Sequence, residues 1–124
     1  MNITLWIVTA VLALLFLAAG TMKIAQPKAK LAASGQGWAE DFSDGTVKGI
    51  GGLEVLAALG LVLPALLNIA TVLVPLAAAG LSVLMVGAAI THARRGEKPN
   101  VIINAILGIL AAGIAIARFG PYGF

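Results

Sequence analysis

Residues 48–64 read KGIGGLEVLAALGLVLP, and this stretch decides what kind of molecule the chain is. From Ile50 to Leu63 it holds glycine, alanine, leucine, isoleucine and valine, with one exception, Glu54. So long an apolar run, with no polar face recurring at helical spacing, is not one side of a soluble helix. Three runs of the same character accompany it. Of the 124 residues 60% are hydrophobic and only 10% charged, and mean hydropathy is +1.05. A soluble domain of this size needs more charge to coat it. The solvent is therefore lipid, and the fold class expected is all-α: an integral membrane four-helix bundle forming a single domain over 1–124, at about 20 residues per crossing.

Working outward, the helices are expected at about 3–25, 46–63, 69–91 and 100–117. Pro27 stops the first and Pro64 the second, because the residue before a proline is pushed out of the helical region. Asp44 or Thr46 is placed to cap the second. Pro75 falls in the first turns of the third helix and Pro99 opens the fourth, where a missing N–H does least harm. The first run begins at Ile3 without a Lys or Arg before it. A cleaved signal peptide carries a basic leader, so this run is expected to be a retained helix. The polar connection QPKAKLAASGQGWAEDFSDG contains Trp38 and Phe42, four apart and on one face of a short helical turn. That turn either lies on the membrane surface with both rings at headgroup level or folds over a pocket as a lid.

The eight Lys and Arg residues are unevenly shared. Lys23, Lys28, Lys30 and Lys48 flank the first connection, Arg94, Arg95 and Lys98 the third, and Arg118 stands alone on the other side. Basic loops stay cytoplasmic, so both basic loops are expected inside and both termini outside. Trp6, Phe119, Tyr122 and Phe124 then gather at the outer interface. The formal charge of +3 has no basic face to act through apart from these loops. It reads as attraction to anionic lipid, with Arg94, Arg95 and Lys98 at the membrane surface, and not as nucleic-acid binding. With no cysteine there is no disulfide and no thiolate-held iron–sulfur cluster. Small residues such as Gly51, Ala57, Gly60, Ala77, Gly80 and Gly108 permit close helix packing in lipid. Met22 and Met85 read as apolar core fillers.

Glu54 then needs an explanation. It lies about 10 Å inside its helix at about 1.5 Å per residue, too deep for so short a side chain to reach water. Ile50, Gly51, Ala57 and Ala58 sit one turn away, and three of these four are small, so this face meets another helix. A lone carboxylate at such depth costs at least about 2–3 kcal/mol. Partners at a similar level are Lys23 at the end of the first helix, Thr91 and His92 at the end of the third, and Asn104 one turn into the fourth. Lys23, Glu54, Thr91, His92 and Asn104 thus make a candidate polar intramembrane cluster with one contribution from each helix. It is either a structural knot that sets helix register or a ligand or proton site. His92 by itself, beside two arginines and without a second strong ligand, is read as an interfacial residue and not as a metal or haem ligand. No metal site, phosphate loop or nucleophile–base–acid arrangement stands in the sequence, so no catalytic residue is assigned and any reaction would need a cofactor or partner.

The stretches AAGTMKIAQPK, GWAEDFSDGTVKGIGGLEVLAALGLVLP, VPLAAAGLSVLMVGAAITHARRGE and RFGPYGF resemble the DoxX-like family of small bacterial membrane proteins, especially its actinobacterial members. The likeness is carried by G-x-x-K ending the first helix, G-x-L-E-V-L in the second, and the H-x-R-R-G-E turn. Its polar positions fall here on Lys23, Glu54, His92, Arg94, Arg95 and Glu97. The resemblance implies a four-helix protein of the bacterial inner membrane that works with partners. It links the chain to thiosulfate:quinone oxidoreductases and to membrane oxidoreductase assemblies that handle oxidative stress; more distant animal relatives act as receptor assembly factors.

Three functions follow as expectations. The first is an accessory subunit of a membrane assembly, holding a quinone or similar lipophile near Glu54 and working with a membrane protein partner or further copies of itself. The second is a structural or assembly factor without a ligand. The third is a small proton-coupled transporter. Against the last, such exporters surround their glutamate with aromatic rings, and the dual-topology members lack a strong Lys/Arg bias.

Overall fold

The computed structural model describes residues 2–33 and 37–124, with the side chains of all these except Lys28, Ala32, Glu40 and Asp41. The described chain is helical: α1 (Asn2–Ala25), α2 (Lys28–Ala33), a 3-10 helix (Gly37–Asp41), α3 (Asp44–Leu67), α4 (Leu73–Arg94) and α5 (Lys98–Phe119). Four of them, α1, α3, α4 and α5, are long and apolar enough to cross a membrane. The protein is a multi-pass membrane protein. The side chain of Lys28, one of the basic residues counted above, lies outside the described residues.

The buried positions repeat at intervals of three and four, the spacing that keeps residues on one helical stripe. On α3 they are Val47, Gly51, Glu54, Ala58 and Leu61; on α4, Val74, Ala78, Leu81 and Met85; on α5, Gly108, Ala111, Ile114, Ala115 and Arg118. Leu12 and Phe16 of α1 join Ala58, Leu61, Ala78, Leu81, Met85 and Ile114 in one apolar core. The remaining aliphatic side chains face outward, Ile3, Leu56, Val83, Ile109 and Ile116 among them, as a lipid solvent allows. Met85 fills the core as expected. Met22 does not: it is 40% exposed, because α1 turns its Phe16–Gly20 stripe inward and leaves position 22 on the opposite side.

Helix ends depart from the sequence expectation in three places, each for a local reason. Ser43, and not Asp44 or Thr46, caps α3: its backbone is extended and its Oγ accepts from the Thr46 N–H at 3.1 Å. Asp44 then occupies the first turn, where a carboxylate favours the helix dipole. Pro64 does not stop α3, which continues one turn to Leu67 and ends where Asn68 turns left-handed at φ 54°. A proline so near a helix end removes one backbone hydrogen bond, and the left-handed asparagine supplies the real stop. Because that turn runs on through Ala70, also at positive φ, α4 begins at Leu73 and not near Ile69.

The bundle is two antiparallel pairs, α1 with α3 and α4 with α5, joined mainly through α3 and α4; α1 and α5 touch lightly. Both polar connections lie at one end and both termini at the other. Lys48 ties the first pair together at the loop end, its Nζ donating to the Ile24 carbonyl at 3.0 Å, where orphan carbonyls and the helix dipole attract a cation. Ser82 ties the second pair: its Oγ donates to the Gly108 carbonyl at 3.0 Å. Interhelical bonds of this type contribute about 0.6 kcal/mol on average in a membrane bundle. Ser82→Ala is therefore expected to cost well under about 1 kcal/mol in detergent unfolding. A larger loss would mean that Ser82 does more than join α4 to α5.

Candidate functional site

A close contact between two glycines brings a buried ion pair together. A methyl group placed on Gly20 would lie 2.6 Å from the Gly51 carbonyl oxygen, and one on Gly51 would lie 2.7 Å from the Gly20 oxygen and 2.8 Å from Cβ of Lys23. Only glycine lets the two backbones meet here. Lys23 and Glu54 each follow one of these glycines by three residues, on antiparallel helices. Helical side chains lean toward the N-terminus of their own helix, so the two lean toward each other across the glycine contact. Nζ of Lys23 comes within 2.7 Å of Glu54 Oε1. At that separation the ammonium answers the carboxylate directly, and no other donor reaches Oε1 among the described residues. Glu54 is 3% exposed.

The ammonium of Lys23 also sits 5.5 Å from the centre of the Trp38 ring, a cation–π distance. Trp38 and Phe42 meet edge to face at 6.0 Å and pack on Leu31, Ala39 and Val47. Both rings line a cavity between the helix pairs, the position expected of a lid. The small apolar cluster beneath them folds the connection back over the bundle. The Arg95 guanidinium of the other loop lies against it at Gly37.

The cavity holds about 750 Å³ and is walled by apolar residues including Phe16, Val83, Leu84 and Leu107. Lys23, Glu54, Thr91, His92 and Asn104 all line it. They share the space without forming the single knot that the sequence suggests around Glu54. Among the described residues, only Lys23 reaches the carboxylate. Thr91 donates to the Gly87 carbonyl of its own helix at 3.0 Å. His92 turns to Glu97, Nδ1 to Oε1 at 2.8 Å, because the chain reverses beside it. The Asn104 amide nitrogen is buried without a partner among the described residues. Volume and lining fit the general form of small-molecule sites, apolar walls with a few converging polar groups. Among the described residues no cluster of three metal-ligating side chains occurs.

Two contributors escaped the sequence reading. Asn100 also lines the cavity; it precedes Asn104 by four residues on one helical face, a signal that was legible. Arg118 was counted only as the lone outer cation, yet it is 6% exposed. Its Nη1 donates to Asn2 Oδ1 at 2.7 Å and to the Tyr122 carbonyl at 2.9 Å. The guanidinium stacks near Trp6 and Phe124, at 5.7 and 4.2 Å from the ring centres. This second polar cluster closes the terminal end of the bundle, far from Glu54 in every helix. Arg94 and Lys98 are exposed at the loop end, and Arg95 lies 3.5 Å from Glu97 through Nε.

Neither a curated protein nor a solved structure matches the chain. A profile of the DoxX-like family matches residues 7–114. That span contains every residue lining the cavity, the Gly20–Gly51 contact, the Lys23–Glu54 pair and the His92–Glu97 turn. With most of its length and the whole of this site inside the match, the chain belongs to the DoxX-like family.

Proposed function

We propose that this protein holds a quinone-like lipophilic molecule in the cavity beside Glu54 and serves as an accessory subunit of a membrane oxidoreductase or redox-stress assembly. The cavity carries the proposal: about 750 Å³ of space, within the usual range for small-molecule sites, with its polar groups facing apolar walls. A ring with oxygen substituents fits that polarity, and an apolar tail can leave between helices into lipid. The chain has no cysteine to hold an iron–sulfur cluster or form a redox disulfide, so in this reading electrons pass to a partner, in line with the assemblies to which the family resemblance points. In this reading the protein sits in the bacterial inner membrane with its two basic loops cytoplasmic, held by anionic lipid at Arg94, Arg95 and Lys98.

The test is native purification into lipid nanodiscs followed by mass spectrometry of the extracted lipophiles. The wild-type protein should retain a ring lipophile in near one-to-one amount. Ala88→Phe adds a ring at a residue that lines the cavity and leaves every charged residue in place, and should lower that amount at least about tenfold while leaving the bundle folded. Equal retention by both proteins would refute the site.

A second reading has its own support. The Gly20–Gly51 contact and the Lys23–Glu54 pair together fix α1 on α3, as a structural lock would. If no lipophile is retained and Glu54→Gln changes stability alone, that reading replaces the first.

A further inference from the structure

Asparagine is a poor residue for the interior of a membrane helix. Its amide competes for backbone groups, and lipid offers it no hydrogen bonds in place of water. In a bundle the usual remedy is a bond to a neighbouring helix. Asn104, in the second turn of α5, lacks that remedy: its Nδ2 is buried without a partner among the described residues.

Three of the polar side chains that share its cavity are turned elsewhere. Lys23 approaches Glu54 at 2.7 Å. The Thr91 hydroxyl donates to the Gly87 carbonyl at 3.0 Å. His92 meets Glu97 at 2.8 Å, across the turn that Gly96 makes at φ 71°. The rotation of α5 is meanwhile fixed one turn further in. There Gly108 packs so closely on α4 that a methyl added to it would lie 3.2 Å from Cβ of Met85, and its carbonyl accepts from Ser82 at 3.0 Å. Residue 104 precedes Gly108 by four and shares its helical stripe, while Ile102, Ile106 and Ile109 face outward. The amide is thereby kept on the cavity, which Asn104 lines beside Leu107 and Leu84. An unpaired buried donor weakens a fold, and on this wall a ligand atom can supply the missing bond.

Resting on the reading of this cavity as a lipophile site, we infer that Asn104 is its specificity-determining residue. Its amide N–H donates to a carbonyl oxygen on the ligand's ring and selects an oxygen-bearing ring over a hydrocarbon of the same skeleton. The apolar walls receive both rings alike, so the choice between them falls to a polar group. A ring dissolved in lipid has few hydrogen bonds to give up, which makes the bond to Asn104 a net gain.

The experiment equilibrates purified protein in nanodiscs with an alkyl naphthoquinone, and separately with the alkylnaphthalene of the same skeleton. Bound ligand is counted by mass spectrometry, with empty nanodiscs subtracted. Wild-type protein should bind the naphthoquinone about tenfold more tightly, the size of one bond to a previously unpaired donor. Asn104→Leu, close in volume, should reduce that ratio to less than about twofold and leave alkylnaphthalene binding unchanged. The melting temperature of the ligand-free variant should hold or rise, because an unpaired amide has been removed. The infrared stretch of a ¹³C-labelled quinone carbonyl should lie lower in wild-type protein than in empty nanodiscs, and return to the lipid value in Asn104→Leu. Asn104→Ala repeats every measurement should the leucine prevent folding. Equal binding of the two ligands by wild-type protein overturns the inference while leaving the lipophile site standing. A ratio and a carbonyl shift that survive both substitutions overturn the role of Asn104, as does a fall in melting temperature with the ratio unchanged. If neither ligand binds, the lipophile reading itself fails and the inference goes with it.

Discussion

Lys23→Met should destabilise the bundle by about 3–5 kcal/mol, the usual loss when one member of a buried ion pair is removed. The substitution keeps an unbranched stem over Gly51 and drops the terminal ammonium, so most of the loss measures the charge. Glu54 is 3% exposed, its closest cation would be gone, and no other described side chain reaches it. Glu54→Gln should cost less. A stranded Lys23 stands two residues from the end of α1, and its long stem lets the ammonium swing toward the loop end and water. Reversible unfolding in detergent mixtures measures both, and the double variant Lys23→Met, Glu54→Met completes the cycle. Removing both charges should recover most of the lost stability, since an apolar pair of similar volume often matches a buried salt bridge. If Lys23→Met costs under about 1 kcal/mol, the pair contributes little and Glu54 must be stabilised in some other way.

The second large effect is expected at the glycine contact. Gly20→Ala places a methyl 2.6 Å from the Gly51 oxygen and 3.0 Å from the Val55 backbone nitrogen. Both obstacles are backbone, so no side-chain rotation relieves them and α1 must move away from α3. Overpacking of this kind costs about 1–3 kcal/mol. Here it also pulls Lys23 from Glu54, which places the total at or above the upper end of that range. Gly52→Ala is the matched control: it neighbours Gly51, meets nothing within 4 Å, and should be neutral or slightly stabilising through helix propensity. Thermal unfolding of the two variants in one detergent decides the matter. Equal melting temperatures would show that α1 and α3 do not depend on this contact.

Both predictions join parts of the protein that were unequally legible. The four spans, the lipid solvent and the depth of Glu54 follow from composition and run length, because a bilayer demands long apolar helices whatever their packing. The small neighbours Gly51, Ala57 and Ala58 even placed the carboxylate on a face that meets another helix. Membership of Lys23, Thr91, His92 and Asn104 in one cavity was also within reach, since all five polar groups lie at the same end of antiparallel helices.

Contacts were a different matter. Which hydrogen bonds each polar group makes depends on distances below one helical turn, and these are set by helix rotation and by turn geometry. His92 meets Glu97 because Gly96 reverses the chain beside it, and Trp38 covers Lys23 because Leu31 and Val47 give its connection something to pack on. Arg118 looked like a topology marker and became the buried centre of the terminal end, since only the folded tail brings Phe124 and the Tyr122 carbonyl to it. Local sequence determined the solvent, the number of crossings and the presence of a buried acid. The packed bundle alone decided which cation answers that acid, because the answer depends on two glycines, thirty-one residues apart, letting two backbones touch.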